Sequence, residues 1–112
     1  MQTLVHLVSG DETEQETALK IARNLLDDES GDIDDVAIVA QAGGIGSVTT
    51  DGAYEDRVES LLADGVAFRA CSNTLAAMDL EESDLIEGVE TVPEGAVEAT
   101  RLQTEGYAYL RP

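Results

Sequence analysis

The sequence predicts an α/β domain: a mostly parallel, five-stranded sheet covered on both faces by helices, in three α/β/α layers. Three observations point there. Short apolar runs rich in β-formers recur along the chain, segments of helical period lie between them, and glycines close the joints.

Thr3–Val8 is the first apolar run. Asp11 to Asp28 reads as a helix, because Ala18, Ile21, Ala22, Leu25 and Leu26 fall at i, i+3, i+4, i+7 and i+8. Asp11, Glu12, Glu14 and Glu16 crowd its first turns, where the helix dipole favours anions, and Gly31 closes the unit. Asp35–Ala40 is the second strand, followed by the glycine-rich loop Gln41–Ser47. Tyr54, Val58, Leu61 and Leu62 mark a second helix, stopped by Gly65. Val66–Ala70 is the third strand and ends at Cys71. A short helix is expected over Asn73–Met78 with Ser72 or Asn73 as its N-cap. Val89–Val92 is a short fourth strand, and Pro93 fits the first turn of a last helix running to about Glu105. Gly106 ends that helix, and Tyr107–Arg111 is the fifth strand. Strands joined by helical crossovers run parallel, so their carboxyl ends share one edge, where open sheets of this kind bind ligands. The loops to examine are Ser9–Glu12, Gln41–Ser47, Cys71–Thr74 and Pro93–Gly95.

Length and composition set the outer bounds. The chain of 112 residues fits one domain, 1–112, with 43% hydrophobic residues, and needs no disulfide or metal to hold a core. One cysteine allows no intramolecular disulfide, which suits a reducing cytoplasm. No apolar stretch is long enough to span a membrane, and Met1–Ser9 does not read as a signal peptide. With 24 acidic and 6 basic residues the net charge is −18, which argues against nucleic acid as a partner. The acids are spread along the chain among apolar runs, the pattern of a folded protein adapted to high salt. The pairs Asp27-Asp28, Asp34-Asp35 and Glu81-Glu82 read as solvated surface.

Cys71 lies at a strand end and next to a helix start, so it belongs to the ligand-binding edge, and nearby free N–H groups favour its thiolate. Arg69, two residues back on the same strand face, can add positive charge. From position alone two fates stay open to Cys71: a reactive thiol, or a small buried hydrophobe. His6, the only histidine, sits within an apolar run and reads as a hydrogen-bonded core residue. No Cys/His cluster exists for a structural zinc site, and no cofactor is expected. Gly43, Gly44 and Gly46 can bring backbone N–H groups to an anion, but they match neither a P-loop nor a dinucleotide fingerprint, and a plain turn explains them as well. Ser9 raises the same question, with a turn leading into an N-cap as its other reading. A phosphoreceiver function needs an aspartate where this chain has Cys71.

The run Phe68-Arg-Ala-Cys-Ser-Asn-Thr-Leu75 resembles the cysteine segment of DsrE/DsrF-like proteins, as the ending Leu102–Pro112 resembles theirs. The glycine loop and the stretch from Gly88 to Gly95 fit as well, so the similarity covers the chain in order. The acidic surface is outside the family pattern and looks haloarchaeal. The resemblance implies a flavodoxin-like α/β/α domain that assembles as homo-oligomers, often trimers or hexamers. In sulfur-oxidation members a cysteine accepts sulfur as a persulfide and passes it on beside partner subunits. Only Cys71 matches that role; Ser72 and Asn73 match neighbouring motif positions without a defined chemistry. Two functions follow as expectations. One is a sulfur carrier or sulfurtransferase, with a donor or acceptor protein. The other is a binding module for a small anion or nucleotide, built from Gly43, Gly44, Ser72, Asn73 and Ser9, in which Cys71 packs.

Overall fold

The first apolar run becomes an interior strand, paired on both sides, in a computed structural model that describes all 112 residues. The strands are β1 (Gln2–Leu7), β2 (Asp35–Ala40), β3 (Ala67–Cys71), β4 (Glu90–Val92) and β5 (Tyr107–Leu110). The α-helices are α1 (Glu12–Leu26), α2 (Glu55–Ala63), α3 (Ser72–Ala77) and α4 (Gly95–Thr104). All five strands are parallel, in the order β4-β3-β2-β1-β5. The layers and the parallel sheet are as the sequence predicts. The strand order differs from the 2-1-3-4-5 order of flavodoxin.

That order decides the layers. From β1 to β4 the chain steps across the sheet in one direction, and right-handed crossovers then place α1 and α2 on one face. From β4 to β5 it returns across the whole sheet, so α4 lies on the other face. The two cores follow. Val5, Leu7, Val36, Ile38 and Phe68 pack with α1 and α2 in a cluster of 19 buried residues. Leu4, Ala37 and Val39 pack with Ala99 and Leu102 of α4 in a cluster of five. The interior strands β1 and β2 are therefore apolar on both sides, as buried parallel strands are.

The observed boundaries fall within a residue or two of the expected ones, with two differences at helix starts. α3 begins at Ser72, so Cys71 itself occupies the N-cap position, with extended backbone (φ −71°, ψ 116°) and no side-chain cap bond. Neither Ser72 nor Asn73, the expected caps, fills that role: both lie inside the helix, and Asn73 Nδ2 donates to Glu94. Thr74 Oγ1 accepts from Ala42 N–H at 3.0 Å across the loop edge. α4 begins after Pro93, with Glu94 as N-cap accepting from Ala96 N–H at 3.4 Å. Asp11 caps α1 by accepting from Glu14 N–H at 3.0 Å. The glycine-rich loop is a 3₁₀ segment, Ala42–Val48, and Glu82–Asp84 is another. Neither carries an apolar period that marks it in the sequence. No helix is long and apolar enough to cross a membrane.

Candidate functional site

β3 and β4 are neighbours, yet the chain leaves them toward opposite faces, into α3 on one side and α4 on the other. Adjacent strands whose connections diverge leave a crevice at their carboxyl ends, the place where open α/β sheets bind ligands. Cys71 ends β3 there, and Glu94 follows β4. Between them opens a pocket of about 560 Å³. Ala42, Ala77 and Met78 form its apolar wall, Asn73, Thr74 and Glu94 are polar, and Gly43 and Cys71 complete the lining.

Cys71 is only 1% exposed. Its register partner is Val92 on β4, and it shares a strand face with Arg69, two residues back, which meets Glu98 of α4, so its side chain is on the face that α4 covers. The thiol donates to Glu94 Oε1 across 3.7 Å. Glu94 in turn is fixed by Asn73 Nδ2 and by Ala96 N–H. Those hydrogen bonds, Asn73 foremost and the Ala96 amide next, hold the Glu94 carboxyl below its ordinary range, so it stays ionised. Glu94 is the only charged residue lining the pocket.

Arg69 does share the face of Cys71, but its charge is used elsewhere. Its Nε lies 3.2 Å from Oε2 of Glu98, a residue of α4 that is 1% exposed. Arg101 faces the other Glu98 oxygen from the solvent side. The pair ties β3 to α4, and a buried carboxylate of this kind holds its cation firmly.

The remaining predicted residues separate. Gly43 and Asn73 line the pocket with Cys71, and Ser72 lies beside it without lining it. Gly44 N–H donates to Val8 O at 3.1 Å and Gln41 O at 3.0 Å, so it is satisfied within the fold. Ser9 Oγ accepts from Asp11 N–H at 3.0 Å, in the turn before α1. His6 is a buried core residue bonded on both ring nitrogens, to Tyr109 Oη and to Gln41 Oε1 at 2.7 Å. Gln41 Oε1 can only accept, so His6 Nε2 carries the hydrogen of that bond. Glu94, Thr74 and Met78 were not singled out from the sequence, although Glu94 and Thr74 fall in loops marked as part of the edge. No group of three His, Cys, Asp or Glu side chains is arranged to hold a metal ion.

Comparison with known proteins agrees with this architecture. The DsrE/DsrF-like family model matches residues 2–112. A protein of unknown function from Methanobacterium thermoautotrophicum, MTH1491, is 38% identical, with a TM-score of 0.91 over 99% of this chain and 98% of its own. A conserved protein of unknown function from Bacteroides thetaiotaomicron, BT1422, shares the fold at a TM-score of 0.78 and 13% identity, over 99% of this chain and 94% of its own. No curated protein matches the sequence. Over residues 2–112, with its cysteine at the end of β3 and its sheet matched almost end to end, the chain belongs to the DsrE/DsrF-like family.

Proposed function

We propose that the protein is a sulfur carrier, or a sulfurtransferase, in which Cys71 accepts sulfane sulfur as a persulfide. The observation that supports this reading is the placement of the only cysteine in the open pocket between the diverging ends of β3 and β4. In the step proposed, the Cys71 sulfur attacks the outer sulfur of a donor R–S–SH. The donor S–S bond breaks, R–S⁻ leaves and takes the thiol proton, and Cys71–S–SH remains. No outside oxidant or reductant is needed. The chain holds no second thiol to resolve the persulfide, so the sulfur passes to another protein, to a small thiol or across a subunit interface. The proposal includes a homo-oligomer, a trimer or hexamer, working in a salty, reducing cytoplasm.

A second reading has one observation in its favour. Cys71 is 1% exposed, as a packed residue is, and the pocket would then bind a small anion or nucleotide. A fixed carboxylate with no cation in the lining opposes an anion there. Mass spectrometry after treatment with a large excess of polysulfide and of cysteine persulfide separates the two. Sulfur added to Cys71, and absent in Cys71→Ser, is the expected result. A protein that gains no sulfur from either donor refutes the carrier.

A further inference from the structure

The pocket around Cys71 has an electrostatic character that bears on its donor. Its lining contains one charge, the Glu94 carboxylate, and no lysine, arginine or histidine. Asn73 Nδ2 and the Ala96 amide pin that carboxylate in place beside the sulfur, so it can neither turn away nor be neutralised by a nearby cation. The arginine on the same strand face is engaged 3.2 Å from the buried Glu98. The molecule as a whole adds a net charge of −18. A thiosulfate or polysulfide anion entering this space meets negative charge with nothing to offset it. The pocket also has an apolar wall of Ala42, Ala77 and Met78, and Met78 is 46% exposed. At about 560 Å³ it is in the size range of small-molecule sites.

We infer that Glu94 selects the sulfur donor by charge, so that the pocket takes an organic persulfide bearing a protonated amine and rejects anionic donors. The carbon body lies against Met78 and Ala77, the ammonium pairs with Glu94, and the outer sulfur meets Cys71 Sγ. This inference rests on the carrier reading above. Its chemistry is the same balanced exchange, Cys71–SH with R–S–SH giving Cys71–S–SH and R–SH.

Two donors of matched length test it: the persulfide of cysteamine, which ends in an ammonium, and that of 3-mercaptopropionate, which ends in a carboxylate. Initial rates of sulfur addition to Cys71 are read by mass spectrometry at fixed molar salt, which screens the distant charges. The wild-type protein should load from the cationic donor about tenfold faster, a modest fraction of what one contact charge pair can give. Glu94→Gln should bring the ratio close to one. A wild-type ratio near one, or one favouring the anionic donor, overturns charge selection while Cys71 still loads and the carrier stands. That ratio needs no variant, so it decides even if Glu94→Gln folds poorly. A ratio that persists in folded Glu94→Gln assigns selection to the wider field and overturns the role of Glu94. No loading from either donor overturns this inference, and the carrier reading falls with it only if polysulfide and cysteine persulfide also leave Cys71 unloaded.

Discussion

Tyr107 starts β5 and donates its hydroxyl to Asp35 at the start of β2, spanning β1 on the α4 face. That hydrogen bond first, and burial second, push its phenol up to about 12. The neutral phenol is the form the fold favours. Its contribution to stability is therefore full below the ordinary tyrosine value near ~10 and is lost as the pH rises through the folded value. Absorbance titration of the three tyrosines should show a phenolate that forms only near pH 12. Asp35→Asn should move it down toward the ordinary range. A wild-type protein in which every phenol has ionised by about pH 10.5 would contradict the Asp35 contact.

The 3₁₀ segment after β2 shows how an element's glycines differ in purpose. A Cβ on Gly44 would lie 1.9 Å from Leu7 O, and one on Gly43 would lie 2.5 Å from Gly10 N. These two glycines let the loop press against the end of β1 and the turn before α1, which brings Gly43 to the rim of the Cys71 pocket. A Cβ on Gly46 would meet nothing within 4 Å. Gly44→Ala should therefore cost on the order of 3 kcal/mol, the upper end for overpacking against atoms that cannot move aside. Gly46→Ala should stay within about 0.5 kcal/mol of wild type. Denaturant melts of the two variants check this, and equal stabilities would refute the close approach.

Over the whole molecule, three of the six basic side chains, Arg23, Arg69 and Arg101, act as clamps. Arg23 on α1 reaches Asp64 at 2.8 Å and Ser60 at 2.9 Å, joining α1 to the end of α2. Arg69 and Arg101 hold Glu98. Most of the 24 carboxylates consequently face solvent without a partner, and their mutual repulsion weakens as salt rises. The melting temperature should climb from dilute buffer to molar salt; a flat or falling series would remove the proposed adaptation to high salt. The same salt series bears on assembly. β5 is an edge strand, with Tyr109 38% and Leu110 40% exposed, and open edges of this kind are usually covered. Sedimentation equilibrium should show association tightening with salt toward a trimer or hexamer. A single species near 11.9 kDa in molar salt would refute the oligomer.

The sequence by itself determined the elements and their order, because helical and strand periods and glycine stops act within a turn or two of chain. Gly31, Gly65 and Gly106 close their units at φ +78°, +102° and +104°, a backbone that other residues rarely adopt. It also singled out Cys71, since only one cysteine exists and it stands at a strand end. Tertiary structure alone decided the strand order, which depends on where β5 docks after crossing the sheet. It alone picked Glu94 out of 24 acids, since nothing local distinguishes that carboxylate. Glu94 meets Cys71 across 23 positions of sequence because the chain turns back after β4 and opens the crevice between them. The same return brought Glu98 over Arg69, taking away the cation that sequence spacing had placed beside the thiol. Such pairings lie between residues on different crossovers, and the handedness and direction of those crossovers set them, beyond the reach of any local pattern.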